Sequence, residues 1–149
     1  MKKYSSLKHV QQDLYSNLTS CQDLVEYYIK RVSKHKDINA FIEIYTTEAK
    51  QAAKEIDLKI KNKTAGLLAG LVIGVKDNIC YKDHLVSASS KILTNFKPVY
   101  SATVIERLIA EDAIILGRLN CDEFAMGSSN ENSIYVPVKN PIDESCVPG

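Results

Sequence analysis

A chain of 149 residues has the length of one domain, and 45% hydrophobic with 25% charged residues places it among globular chains, not disordered or fibrous ones. Nineteen lysines and arginines oppose eighteen aspartates and glutamates, and a net charge of +1 gives no global attraction to nucleic acid or anionic lipid. The lysines at 54, 59, 61 and 63 crowd one segment and read as a solvated helix face and its exit.

The four cysteines, at 21, 80, 121 and 146, make no C-x-x-C pair, so neither a zinc site nor a thioredoxin-like pair is expected. Polar residues follow Met1-Lys2-Lys3 where a secretory signal would be apolar, and no apolar run approaches the roughly eighteen residues of a membrane span. A cytoplasmic protein with free thiols is the expectation.

In chain order, Val10, Leu14 and Leu18 recur at helical spacing and predict a short docking helix. Thr19 with Gln22 predicts a capping box for a second helix, whose stripe is Leu24, Val25, Tyr28, Ile29 and Val32 and whose end is near Lys34. Cys21, in its first turn, reads as a packing residue. Residues 39–45 carry one short apolar strand. Thr46 and Thr47 then cap a helix that presents Ala49, Ala52, Ala53, Ile56 and Ile60 on one face, and Asn62 with the Gly66–Gly70 region closes it.

The run Leu71-Val-Ile-Gly-Val-Lys76-Asp77-Asn-Ile79 is β-branched and apolar up to its lysine, the composition of a strand covered on both faces. Such a lysine must pair, reach water or lose its proton, and desolvation that neutralises it creates a general base. Snorkelling to water with no chemistry is the structural alternative. Asp77 points the other way if the alternation continues, so it is not an automatic partner.

Residues 80–98 read as a long loop with one helical turn, containing His84 and the run Ser87-Ala88-Ser89-Ser90. Thr103 to Glu106 is a capping box for a helix burying Val104, Leu108 and Ile109, with Ile105 at the margin, and Ala113–Leu116 is a second buried strand ending at Gly117. Strand, helix, strand predicts a parallel pair with a right-handed crossover. Asp122 to Met126 suits one helical turn, Gly127 to Ser133 is rich in small polar residues, and prolines 137, 141 and 148 punctuate an extended tail. The fold class is therefore α/β.

No histidine joins a Ser-His-Asp pattern; of His9, His35 and His84 only the last lies in a candidate site loop. Neither a P-loop ending nor G-x-G-x-x-G is present. A strand lysine and two serine-rich loops remain, the parts of a serine hydrolase that uses lysine in place of histidine.

Four stretches carry a resemblance: Gly74-Val-Lys-Asp-Asn-Ile-Cys80, Ser90-Lys-Ile-Leu93, Ala102-Thr-Val-Ile-Glu-Arg-Leu108 and Asn120-Cys-Asp-Glu-Phe-Ala-Met-Gly-Ser-Ser-Asn-Glu-Asn-Ser133. Together they resemble the amidase signature family, and within it the branch that hydrolyses glutamine for an amidotransferase. The resemblance implies a single incomplete domain over residues 1–149, the N-terminal part of that fold, with a mixed sheet flanked by helices and left unfinished.

It also implies a Ser-Ser-Lys triad with Lys76 as the catalytic lysine, Met126 and Ser128 as substrate-binding residues, and no metal. The implied partners are subunits B and C of a heterotrimer, with glutamine as substrate and Glu-tRNA(Gln) amidated by the complex. ATP and magnesium would serve a partner subunit, leaving this chain without a cofactor. The family's Gly/Ser-rich signature is expected to begin at about Gly149, so both serines should lie further on and this chain alone should be inactive. A non-catalytic fragment acting as an interaction module, or part of a general amidase, are the alternatives. Ser89 stands where the family usually has glycine, and the glycine expected near Asp83 is missing.

Overall fold

The computed structural model describes residues 2–148. Its regular elements are α1 (Leu7–Tyr15), α2 (Cys21–Lys34), β1 (Phe41–Ile44), α3 (Thr46–Lys61), β2 (Val72–Lys76), α4 (Thr103–Ala110) and β3 (Ile114–Leu119). The strands form one sheet in the order β1-β3-β2, with β2 parallel and β1 antiparallel to β3. This is the mixed, helix-flanked sheet expected, and β2, α4 and β3 are the predicted strand-helix-strand unit.

Alternation along β3 explains why it is central. Ile114 and Leu116 enter one core with Val10, Leu14, Cys21, Leu24, Val25, Ala49, Ala53 and Ile56 from the first three helices. Ile115 enters a second core on the other face with Tyr45, Val75 and Ile105. Leu24 and Ile114 are almost wholly withdrawn from water, worth about 1.5–3 kcal/mol apiece in apolar transfer. Alanines 49 and 53 let α3 lie close to α2. Gly70, at φ +89°, holds the turn before β2, and a Cβ there would stand 2.5 Å from Leu14 Cδ1. Gly117 is required for a different reason: a side chain would overlap the Glu43 carbonyl oxygen of the neighbouring strand.

Several local expectations need correction. The cap of α2 is Ser20, not Thr19, and its box closes through Asp23: each residue's backbone N–H donates to the other's side chain at 3.0 Å. Asp57 of α3 also accepts the Cys21 N–H at 2.7 Å, so the first turn is held from two sides. Neither Thr46 nor Thr103 caps; each is the first residue of its helix, after Tyr45 and Ala102. Leu18 lies past the end of α1 and is 75% exposed. On α4 the sheet meets only one edge of the apolar stripe: Ile105 is buried, whereas Val104 and Ile109 are exposed.

The largest correction concerns the strand ending at Lys76. Coverage on both faces belongs to β3, which is buried from Ile114 to Arg118; β2 lies at the side of the sheet and is half-buried from Val72 to Gly74. An apolar groove of about 710 Å³ runs over the sheet there, with Tyr28, Val32, Phe41, Ile44, Val72 and Leu116 in its wall. No helix of the described residues is long and apolar enough to cross a membrane.

Candidate active site

The site grows from the C-terminal ends of the parallel strands β2 and β3, where chains leaving the sheet can meet. At the end of β2 the alternation holds: the Lys76 side chain is exposed and that of Asp77 is fully buried. Asp77 is the most heavily bonded side chain in this region. Its Oδ1 accepts from Arg118 Nη1 at 2.7 Å and from the Ser87 backbone N–H at 3.0 Å. Its Oδ2 accepts from the Ser89 N–H at 2.7 Å and the Ser87 hydroxyl at 2.5 Å. Its backbone carbonyl takes the N–H of Ala88 at 2.9 Å. Three consecutive amides of the 87–89 loop thus converge on one residue, a concave arrangement of the kind that holds anions.

That loop needs such support. Ala88 and Ser89 stand at φ +48° and +50°, in the left-handed region that costs residues with a Cβ. Arg118, on β3, is only 5% exposed and completes the charge balance. Burial disfavours its cation, but hydrogen bonding to Asp77, the Asp77 charge and Tyr135 together hold its pKa above the ordinary arginine value. The Tyr135 ring lies 5.7 Å from the guanidinium, and its hydroxyl donates to Ser87 Oγ at 3.0 Å.

A second layer lies over this one. Phe124 N–H donates to the Ala88 carbonyl at 2.8 Å, and Ile134 N–H donates to that of Ser89 at 3.1 Å. Ser90 Oγ donates to Glu123, while Ser89 Oγ donates to Asn120 Oδ1 and accepts the Cys121 N–H at 3.3 Å. Asp122, itself buried, accepts from the N–H groups of Asn130 at 2.9 Å and Asn132 at 3.2 Å, which folds residues 123–130 back on themselves. Gly127 lies against the Asp122 carboxylate so closely that any side chain would overlap it. The single turn expected at 122–126 is a short 3-10 turn, Glu123–Ala125, with Phe124 and Ala125 at positive φ.

Lys76 and Ser128 line one cavity of about 250 Å³, with Asn120, Cys121, Asp122 and Gly127. Met126 is 80% exposed and is not part of that wall; its segment is what the cavity shares. The expectation of a lysine withdrawn from water is not met, because β2 lies at the side of the sheet and Lys76 faces the open cavity. Lys76 takes part in none of the salt bridges among the described residues. The cavity therefore brings together a lysine without a salt-bridge partner among the described residues, a serine and a mixed polar and apolar wall, a setting for proton transfer next to a small ligand. Gly149, where a Gly/Ser-rich signature is expected to begin, lies outside the described residues.

His84 is not in this cavity. It stacks on Tyr81 at 3.8 Å and lies 4.4 Å from the Tyr45 ring, while its Nδ1–H donates to the Lys82 carbonyl at 2.8 Å. Sequence reasoning missed Asp77, Ser87, Ser89 and Arg118 as a unit. The signal available was charge inside apolar context: Asp77 after one strand and Arg118 within another, each needing a partner when buried.

Comparison with known proteins bears on the family and the fold. The Amidase family matches residues 23–149. The glutamyl-tRNA(Gln) amidotransferase A subunit of Chlorobium phaeobacteroides (strain BS1) is 46% identical over 147 residues, 98% of this chain and 31% of that protein. Among solved structures, one from a vestigial protein complex described as revealing the evolutionary origins of an s-triazine catabolic enzyme superposes with a TM-score of 0.87 at 31% identity. It covers 95% of this chain and 31% of its own. The glutamyl-tRNA(Gln) amidotransferase A subunit of Thermotoga maritima gives 0.68 at 27% identity, over 87% of this chain and 26% of that one. The chain spans about a third of the length of the relatives it matches.

Proposed function

This chain belongs to the Amidase family, and we propose that it forms the N-terminal part of a subunit that hydrolyses glutamine to supply ammonia for converting Glu-tRNA(Gln) to Gln-tRNA(Gln). The observation that carries the reading is the shared cavity: Lys76, at the end of β2, and Ser128, in a loop far from it in sequence, both line it. The similarity to a glutamyl-tRNA(Gln) amidotransferase over 98% of the chain supports the choice of glutamine.

In this reading the rest of the longer protein supplies a nucleophilic serine and a bridging serine. Lys76 accepts the proton of the bridging serine, which takes that of the nucleophile as it attacks the side-chain amide carbon of glutamine. The C–N bond breaks, ammonia leaves with the returned proton, and water then hydrolyses the acyl ester to glutamate. Ser128 and the backbone at Met126 hold the substrate. The proton-accepting role needs Lys76 to be covered and neutral, which packing of the remaining chain over the cavity would achieve. Subunits B and C are the proposed partners; ATP and magnesium act on a partner subunit, and this chain contributes no cofactor site. A cytoplasmic location follows from that role.

The test is ammonia release from glutamine by the longer protein in its complex, with residues 1–149 alone run beside it. Lys76→Ala should lower turnover by about 100-fold or more, the scale of a lost acid–base group. Turnover by the Lys76→Ala protein within threefold of wild type overturns the reading.

A further inference from the structure

We infer that the Asp77–Arg118 pair, through the three amides it gathers, is the positioning device that sets Lys76 against the substrate-binding segment 120–130. The inference rests on the function proposed above for Lys76 and Ser128, and adds residues to it that touch no substrate.

Two ends of one bonded chain make the case. At one end, Asp77 follows Lys76 directly, and its own N–H donates to the Leu119 carbonyl at 3.0 Å, so the backbone that carries the amine is tied to β3. At the other end, the Ser87–Ser90 loop that Asp77 holds is the support on which Asn120–Phe124 rests, through Ser89 Oγ, Ser90 Oγ and the Ala88 carbonyl. Asp122 and Gly127 then fix the turn leading to Ser128. The cavity thus has one wall at Lys76 and another at Ser128, and every bonded path described between them passes through the 87–90 loop or β3. Arg118 Nη2 also reaches Glu43 of β1 at 3.4 Å, so the pair joins all three strands.

Ser89 is the link between the two ends. Removing its hydroxyl leaves Asp77 with its backbone and arginine partners but detaches Asn120 and Cys121 from the loop. Losing the Asp77 charge releases the loop and the end of β2 together. The two changes should therefore differ in reach: Ser89→Ala acts on the holding of substrate, Asp77→Asn on that and on proton transfer as well.

The experiment measures kcat and KM for glutamine hydrolysis in the longer protein with its partners, alongside amide exchange at Phe124 and Asn130. Asp77→Asn should lower kcat by about 100-fold, the cost of displacing a reacting group by about an ångström. Ser89→Ala should raise KM by about fivefold, keep kcat within about twofold, and speed exchange at Asn130, on the far side of the turn. Arg118→Lys should recover more of kcat than Arg118→Gln. Leu24→Ala, remote from the site, serves as the control whose loss of stability leaves KM unmoved. If Asp77→Asn does not fold, Ser89→Ala decides alone. Unchanged KM and unchanged exchange at Asn130 in Ser89→Ala overturn the inference, as does an Asp77→Asn protein that folds and keeps wild-type kcat. Absence of glutamine turnover in the wild type defeats the functional reading instead, and the exchange at Asn130 then still judges the positioning device.

Discussion

The two halves of this molecule are held by different physics. The first three helices and one face of β3 meet through small and branched apolar side chains, in a cluster from Val10 to Leu116. The loops leaving the far ends of β2 and β3 bury a few apolar residues, among them Val86, Ala88 and Cys121, and are organised around Asp77, with Arg118, Ser87 and Ser89 converging on it. Loss of one contact in the first region leaves many neighbours to share the strain. Loss of the carboxylate in the second removes the point to which the rest is attached.

The largest effect should come from the centre of the polar region. Asp77→Asn leaves the buried Arg118 guanidinium with only the half-exposed Glu43 carboxylate, at 3.4 Å, as counter-charge, and breaking a buried pair costs about 3–5 kcal/mol. Urea unfolding measures it. Replacing both partners, as in Asp77→Asn with Arg118→Met, should cost less than the single change, because no orphan charge remains. A single-variant cost under about 1 kcal/mol would mean that the pair does not organise these loops.

Leu24→Ala is the matching change in the apolar half. It empties volume at a side chain 1% exposed and should cost about 2–5 kcal/mol, depending on how far α3 collapses onto the gap. The sharper comparison is in its reach: hydrogen exchange should rise through α2 and α3 while the amides of Ser87 and Ser89 stay protected. A still smaller effect is expected at the α2 cap, where Ser20→Ala removes one half of the capping box for about 1 kcal/mol. Thr19→Ala should be neutral, since Thr19 precedes the cap.

How legible each half is in the sequence follows from the same division. Apolar spacing names the packed faces of α2 and α3 correctly, because a helix buries one stripe and Leu24, Val25, Ala49, Ala53 and Ile56 form that stripe. It errs where the partner is missing or narrow: Val104 and Ile109 fit the spacing of α4, but the sheet reaches only Ile105. It also gives β2 the burial that belongs to β3, since composition says that a strand is apolar, not where in the sheet it lies. The polar half leaves fainter traces. Resemblance marks Lys76 and Ser128, and the structure puts both on one cavity. Two departures from the family, Ser89 and the region of Asp83, turn out to be positions at φ +50° and +64°, where glycine is the usual solution. Here the carboxylate of Asp77 holds at Ser89 what a glycine would have allowed without help.

Cysteine labelling offers the mildest probe of the contrast, because it changes nothing in the fold. Burial pushes the Cys21 thiol well above the ordinary thiol range, and the charge of Asp57 and its hydrogen bond push it further. At pH 8 it is therefore protonated as well as enclosed, and iodoacetamide should reach it only on global unfolding. Cys146 is exposed and should react first. Cys121 is as buried as the core residues, yet it is enclosed by loops, with Ser89 Oγ 3.4 Å from its sulfur. Polar loops open locally at lower free energy than an apolar core. Cys121 should accordingly label at a rate between the other two, and Ser89→Ala should speed Cys121 by several-fold while leaving Cys21 unchanged. Equal protection of Cys121 and Cys21 in the native protein would show instead that both halves open only together, one cooperative unit despite two kinds of bonding.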